Sequence, residues 1–413
     1  MSITSLGCVE NALASSRFER LFELNDWRLV DSPTEADLVL VNTCGVSEER
    51  AADSLRAIDQ LRHSLRKDAK LVVTGCLVAI DPASLESAAG AGVDIVAPGD
   101  PQPIEQLLGS SRRLADIRAH QVPRRFMRPR LRAINLASGV VRALARIGAP
   151  RPARLDRVLS AFEREDWHYV QVATGCAHAC AYCAIRFAKG TIRSEPPERI
   201  VEEVARGVAA GHRRIVLVAD DTGSYGLDRG TDISELLTHL VAIPGDFGIH
   251  IRNLEPMGLL KALPGFRRAV ATGKIRAVTV PLQSGSDRVL EAMGRGYRLR
   301  PALEALAELK RLDPELLVLT HVMVGFPGET REEFRRTLRL IGSFEFDGVA
   351  PDCYSPRPGT AAARMDGQVP LSVRRWRYWS TVGYIVWRVY LRAGLGLPWR
   401  FRGGAGSPVL EGS

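Results

Sequence analysis

Three cysteines fall within one short run, Gly175-Cys176-Ala-His-Ala-Cys180-Ala-Tyr182-Cys183, a Cys-x3-Cys-x2-Cys spacing. Three thiolates so placed can each take one corner of a cubane 4Fe–4S cluster and leave the fourth iron without a protein ligand. An open metal position serves chemistry, because a substrate or cofactor can coordinate there. A zinc-binding loop is the competing reading, but a structural zinc site recruits a fourth protein ligand. His178 lies inside the loop and cannot easily fold back onto the same metal. Cys8, Cys44 and Cys76 are far apart in sequence yet alike in context. They occur in Leu6-Gly7-Cys8, Asn42-Thr43-Cys44-Gly45 and Thr74-Gly75-Cys76, each in a turn after a strand-like run. Strand C-termini of a parallel α/β sheet line up along one edge, so these three cysteines are expected to converge. That again gives three thiolates and an open iron site, although each alone would read as an inert buried cysteine. The seventh, Cys353, reads as a buried structural thiol.

The elements that must position these residues follow from hydrophobic periodicity. Residues 1–110 alternate strand and helix: Ser2–Gly7, Leu38–Val41 and Leu71–Thr74 read as strands, Asn11–Leu24 and Glu48–Leu65 as helices. This predicts a small parallel-sheet α/β domain carrying Cys8, Cys44 and Cys76. Residues 111–165 are an Arg-rich linker broken by prolines, with one amphipathic helix near Ala133–Ile147. Residues 166–365 resume the alternation. The strands are Tyr169–Ala173, Arg214–Ala219, Gly248–Asn253, Ala277–Leu282, Leu317–Val324 and Val349–Tyr354. The helices between them are Pro197–Ala210, Asp232–Ala242, Arg300–Arg311 and Thr330–Ile341. Six such units predict a partial (β/α)6 barrel with its ligands at the strand C-termini. The fold class is therefore α/β throughout. Residues 366–413 form a basic, aromatic helix over Arg374–Leu391 and a Gly-rich tail.

The chain has 413 residues, 46% hydrophobic and 25% charged, the balance of a globular protein rather than a disordered or fibrous one. The net charge of +9 is uneven. Residues 111–164 hold 14 arginines against 3 acids, and residues 366–413 hold 7 against 2, so the presumed catalytic modules are mildly acidic. A charge map of this kind bears on partners more than on fold. No eighteen-residue apolar window predicts a transmembrane segment, and the start MSITSLGCVE lacks the pattern of a signal peptide. A cytoplasmic location is expected, where thiols stay reduced and serve as ligands or catalysts. His168, His212, His239, His250 and His321 fall in or beside regular elements without metal spacing, and His63 and His120 on exposed segments.

The Cys176–Cys183 run resembles that of the radical S-adenosylmethionine (SAM) superfamily. Further strings sharpen this to the methylthiotransferase family within it. They are Ser5-Leu6-Gly7-Cys8-x-x-Asn11, Asn42-Thr43-Cys44, Thr74-Gly75-Cys76, Asp221-Thr222-x-Ser224-Tyr225-Gly226 and Pro281-Leu282-Gln283-Ser284-Gly285-Ser286. Gly325-Phe326-Pro327-Gly328-Glu329-Thr330 and Tyr354-Ser355-Pro356-Arg357-Pro358-Gly359-Thr360 complete the match, which covers about three quarters of the chain. The resemblance implies two 4Fe–4S clusters and SAM as cofactors. Cys176, Cys180 and Cys183 would hold the radical-generating cluster, and Cys8, Cys44 and Cys76 the one that delivers sulfur. The reaction would replace C–H by C–S–CH3, one SAM giving the methyl group and another the radical. The resemblance also implies that Tyr182 lies near the adenine of SAM, Asp220 and Asp221 near its methionine part, and Gln283 and Ser284 near its ribose or carboxylate. Arg193 matches a basic position able to pair with the SAM carboxylate. A reductase or flavodoxin-type donor would supply electrons.

The sequence departs from the family at four places. The cluster loop continues as Ile185-Arg186-Phe187-Ala188-Lys189-Gly190, with a basic residue where proline is usual. Ser194-Glu195 stands where Ser-Arg is usual, and Ala14 where Asp is usual. After Gly359-Thr360 about fifty residues remain, and they do not alternate like the β-rich TRAM recognition domain that ends known members. These departures favour a peptide, ribosomal-protein or specialised-metabolite substrate. The alternatives are a tRNA adenosine methylthiotransferase that uses the Arg-rich linker to neutralise phosphates, a radical SAM enzyme of other chemistry, and a non-catalytic iron–sulfur adaptor.

Overall fold

The structure is a computed structural model that describes residues 1–110, 112–126 and 166–391. The helix expected near 133–147 and the tail beyond 391 lie outside the described residues. The chain divides into two compact units. One holds the described residues up to 126 together with Tyr182–Thr191 and Ser355–Ala363; the other holds 166–181, Ile192–Tyr354 and 364–391.

In the first unit, β1 (Ser2–Ser5), β2 (Leu38–Thr43), β3 (Lys70–Gly75) and β4 (Val93–Ile95) form one parallel sheet in chain order. Every residue of β2 is buried. Its apolar run is continuous because helices cover both faces. Leu38 and Leu40 pack with Phe18, Leu21 and Phe22 of α1 (Val9–Glu23). Val39 and Val41 pack with Ala51 and Ile58 of α2 (Glu48–Ser64) and with Leu77 of α3 (Cys76–Ile80). Short helices α4 (Pro82–Ala89) and α5 (Gln102–Leu107) complete the layer.

The second unit is built on six parallel strands in the order β12-β11-β10-β9-β8-β5, the architecture expected of a partial barrel. They are β5 (His168–Gln171), β8 (Arg214–Val218), β9 (Gly248–Ile251), β10 (Ile275–Thr279), β11 (Leu317–Val324) and β12 (Gly348–Cys353). Between β5 and β8 the chain makes a small antiparallel pair, β6 (Ala173–Thr174) with β7 (Arg193–Ser194). Helix α6 (Ile185–Lys189), which belongs to the first unit, lies between β6 and β7 in sequence. The crossover helices are α7 (Pro197–Ala209), α8 (Ile233–Ala242), α9 (Pro256–Lys261), α10 (Leu263–Ala271), α11 (Asp287–Ala292), α12 (Leu299–Leu312) and α13 (Arg331–Ser343). Thr330 and Glu333 close a reciprocal capping box at the start of α13.

The last described helix, α14 (Leu371–Ile385), continues as a π-helical turn over Val386–Leu391. It buries Arg377, Thr381 and Ile385 and exposes Trp376, Trp379 and Trp387. Among the described residues no helix is long and apolar enough to cross a membrane. Two expectations are corrected. Cys353 is half-buried, because it ends edge strand β12, and His120 is half-buried rather than exposed.

Candidate functional site

The sheet register of the first unit aligns the three strand ends: Ser5 lies beside Asn42, Asn42 beside Thr74, and Thr43 beside Gly75. Cys44 and Cys76 immediately follow β2 and β3, and Cys8 follows β1 by three residues. Asn11 ties these ends together. Its Nδ2 donates to the carbonyl oxygens of Leu6 at 3.0 Å and Thr43 at 2.8 Å, and its Oδ1 accepts from the Cys76 thiol at 3.7 Å. Asn42 in turn donates to the Asn11 carbonyl at 2.9 Å. The Ser54 hydroxyl satisfies both backbone groups of Cys44. Gly7 has a φ of 112°, and a Cβ there would sit 2.9 Å from the Cys44 sulfur. Gly75 has a φ of 100°, and a Cβ there would strike the Thr43 backbone at 2.4 Å. Only glycine lets the cysteine turns pack this closely.

Burial pushes the Cys8 thiol well above its ordinary range; Glu10 adds to this, Lys189 opposes it, and Cys44 and Cys76 reinforce it. Thiolates at these three cysteines would repel one another, so free thiolates are disfavoured there. The three cysteines fit a metal centre, which deprotonates the thiols it binds. A buried cation stands in the same unit. Arg357 is 3% exposed, its Nη2 is 3.9 Å from Asp81, and its Nε and Nη2 have no hydrogen-bond partner. Burial lowers its pKa, while Asp81, Glu48 and Cys44 raise it.

In the second unit the residues after β6, β8, β9 and β10 gather around the cysteine loop. Asp220 accepts from the backbone N–H of Gly175 at 2.9 Å, so it braces the loop rather than standing as a solvated acid. Asp221 is buried and accepts at Oδ1 from the N–H groups of Gly223 and Ser224. Its Oδ2 accepts from the Ser224 hydroxyl at 2.5 Å and the Cys176 thiol at 3.8 Å. His178 does not turn back toward the cysteines through its ring. Its Nε2 lies 3.2 Å from Ser224 Oγ, 3.3 Å from Asp221 Oδ2 and 3.7 Å from Glu255 Oε2.

Gln283 is buried in a left-handed backbone conformation with φ 62°, and its Oε1 has no partner. Its main chain is held on both sides, the N–H by His321 O and the carbonyl by the N–H of Met323. An orphaned buried acceptor on a strained strand end fits a ligand donor. Ser284 beside it is fully buried and accepts from the Ser286 N–H. Tyr182 is half-buried, and Arg193 is exposed on β7 opposite Thr174. Cys176, Cys180 and Cys183 are all half-buried. Among the described residues no trio of His, Cys, Asp and Glu converges as for a single metal ion. A cubane asks instead that each thiolate take a separate iron.

Sequence reasoning missed Glu255 and Arg295. Arg295 Nη1 donates to Cys180 Sγ at 3.4 Å, and its Nη2 lies 3.3 Å from Glu255. The signal for Glu255 was present in Asn253-Leu-Glu255-Pro256, a strand end and helix cap, because Glu255 caps α9 through the N–H groups of Met257 and Gly258. The family model of the radical SAM superfamily matches residues 170–341, and that of "Uncharacterized protein family UPF0004" matches residues 1–97. The solved structure of TsrM, a radical SAM methyltransferase from Kitasatospora setae, covers 87% of this chain and 76% of its own. Its TM-score is 0.57 at 17% identity, a likeness of fold. The ribosomal protein uS12 methylthiotransferase RimO of Moorella thermoacetica is 29% identical over 92% of this chain and 81% of its own. The threonylcarbamoyladenosine tRNA methylthiotransferase MtaB of Thermotoga maritima is 32% identical over 380 residues, 91% of this chain and 79% of its own. Likeness of that depth and extent, over both cysteine sets, makes the chain a member of the radical SAM methylthiotransferase family.

Proposed function

We propose that this chain converts a C–H bond of its substrate to C–S–CH3 with two 4Fe–4S clusters, one on Cys176, Cys180 and Cys183 and the other on Cys8, Cys44 and Cys76. Family membership brings SAM and a 4Fe–4S cluster as cofactors. The observation that carries the second cluster is the register of β1, β2 and β3, which supports three thiols sharing one neighbourhood. When bound, the barrel cluster supplies one electron for cleavage of SAM and the N-terminal cluster supplies the sulfur. The chain's own residues do the rest. Asp220 fixes the start of the cluster loop through Gly175. Asp221 and Gln283 offer buried acceptors for the SAM ammonium and ribose, with Ser284 at the same strand end. Tyr182 borders the adenine, and Arg193 is the cation for the carboxylate. The electron comes from a reductase or flavodoxin-type donor.

Two substrate classes are named for the relatives, tRNA and a ribosomal protein. The 14 arginines of residues 111–164 favour tRNA, since phosphate neutralisation is what such a segment supplies. This reverses the order suggested by the sequence departures, and a protein substrate is the second reading. Anaerobic iron and sulfide analysis with Mössbauer spectra tests the two clusters. About eight irons per chain are expected, falling to about four in a Cys8/Cys44/Cys76 triple alanine variant or in its Cys176/Cys180/Cys183 counterpart. Four irons in the wild type, lost only with the second set, would overturn sulfur insertion as the chemistry. tRNA affinity that ignores salt would remove the RNA reading.

A further inference from the structure

We infer that Arg295 and Glu255 are an opposed pair of positioning residues that set the reduction potential of the cluster on Cys176, Cys180 and Cys183. The inference rests on the proposed role of those cysteines and goes beyond it.

The loop that carries Arg295 is pinned to the cysteine loop. The Met293 carbonyl accepts from the N–H of Ala181 at 2.8 Å, and a Cβ at Gly294 would lie 3.6 Å from the Ala179 carbonyl oxygen and 3.9 Å from the Cys180 Cα. The Arg295 side chain is 6% exposed. Three contacts fix its guanidinium. Nη2 donates to the Pro281 carbonyl at 3.1 Å and pairs with Glu255 Oε1 at 3.3 Å. The plane lies 5.6 Å over the ring of Tyr297, whose hydroxyl is itself held by the Leu282 carbonyl. With those directions taken, Nη1 donates to Cys180 Sγ at 3.4 Å. Glu255 is equally constrained. Its Oε2 accepts from the N–H groups of Met257 and Gly258 and lies 3.7 Å from His178 Nε2.

A guanidinium does not lose its proton in proteins. Buried beside a ligand sulfur, it is a fixed positive charge in a medium that screens weakly. Hydrogen bonds to cluster sulfurs and local net charge govern iron–sulfur potentials. One electron from a low-potential one-electron carrier takes a 4Fe–4S cluster from its 2+ to its 1+ state, with no proton moved. Arg295 favours the state with the extra negative charge and raises the potential. Glu255 opposes it from the far side of the guanidinium.

The test is an EPR-monitored redox titration of the anaerobically reconstituted full-length chain. The signal that disappears in Cys176→Ala is assigned to this cluster. Arg295→Gln is expected to keep its iron and titrate at more negative potential, Glu255→Gln at more positive potential, and Arg295→Lys near the wild type. Wild-type potentials in both Gln variants, or shifts of the same sign, would overturn the inference. If Arg295→Gln fails to load iron, an unshifted Glu255→Gln overturns it alone. A wild type with no Cys176-dependent signal would instead remove the cluster assignment itself, and the inference with it.

Discussion

The carboxylate of Asp220 accepts the backbone N–H of Gly175 at 2.9 Å, and Gly175 is the residue immediately before Cys176. A strand-end acid thus sets where the cysteine loop begins. Asp220→Ala leaves that N–H without its partner and frees the loop. The expected cost is about 1–3 kcal/mol in chemical denaturation. Iron bound by the Cys176 set should fall, while that bound by the Cys8 set stays. Asp220→Asn keeps an acceptor and should retain most of the iron, so equal losses in both variants would show that charge, not the Gly175 bond, matters.

Asn11 makes a sharper case in the other unit. It is 4% exposed and uses both ends of its amide, two donors to Leu6 and Thr43 and one acceptor to Cys76. Asn11→Ala strands the buried Thr43 carbonyl and the half-buried Leu6 carbonyl, at an expected cost of about 2–4 kcal/mol. Asn11→Asp should be worse than Ala, because it turns a donor toward two carbonyls into a buried anion beside three thiols. Iron content and urea midpoints of the two variants check the order.

His250 predicts a pH dependence of stability. Burial, then Arg252 and Arg214, hold its pKa down at about 3, and its Nε2 faces the Thr279 hydroxyl at 2.9 Å. The unfolded chain takes up this proton below its ordinary value near 6.5, while the fold refuses it. Stability is therefore full above about pH 6.5 and lost progressively as pH falls toward 3. Between pH 6.5 and 5 the loss from this group is roughly 2 kcal/mol. His250→Gln should flatten that part of the stability profile, and an unchanged slope would show that other groups cause it.

The parts of this molecule written as local pattern were legible in the sequence. The run Leu38–Val41 reads as a buried strand, and β2 contains it, extending two residues further to Thr43 with every position buried. The turns bearing Cys8, Cys44 and Cys76 read as equivalent strand ends, and the register aligns those ends. Arg295 was not legible, since its partner Cys180 lies 115 residues away and only tertiary packing joins them. The helix-capping position of Glu255 was readable, but its pairing with Arg295 was hidden for the same reason. Helix α14 was legible only in part. The sequence reads it as one basic, aromatic helix without saying which face turns inward; Arg377 is buried and Trp379 is 62% exposed.

That orientation has one cause, and it yields the last prediction. Glu329 is 3% exposed, and its Oε2 accepts from the backbone N–H of Gly325 at 2.7 Å and from Arg377 Nη1 at 2.5 Å. The same guanidinium nitrogen donates to the Glu329 carbonyl at 2.9 Å. Burial raises the Glu329 pKa; the Gly325 N–H and Arg377 oppose that rise. An acid so enclosed demands a cation, and α14 supplies it by turning Arg377 inward. Arg377→Leu therefore leaves a buried charge without its partner and should cost about 3–5 kcal/mol. Glu329→Gln with Arg377→Leu removes both charges and should recover a large part of that loss. A double-mutant cycle by urea denaturation measures the coupling. If the double variant is as unstable as the sum of the singles, the pair is not what holds α14 against the barrel.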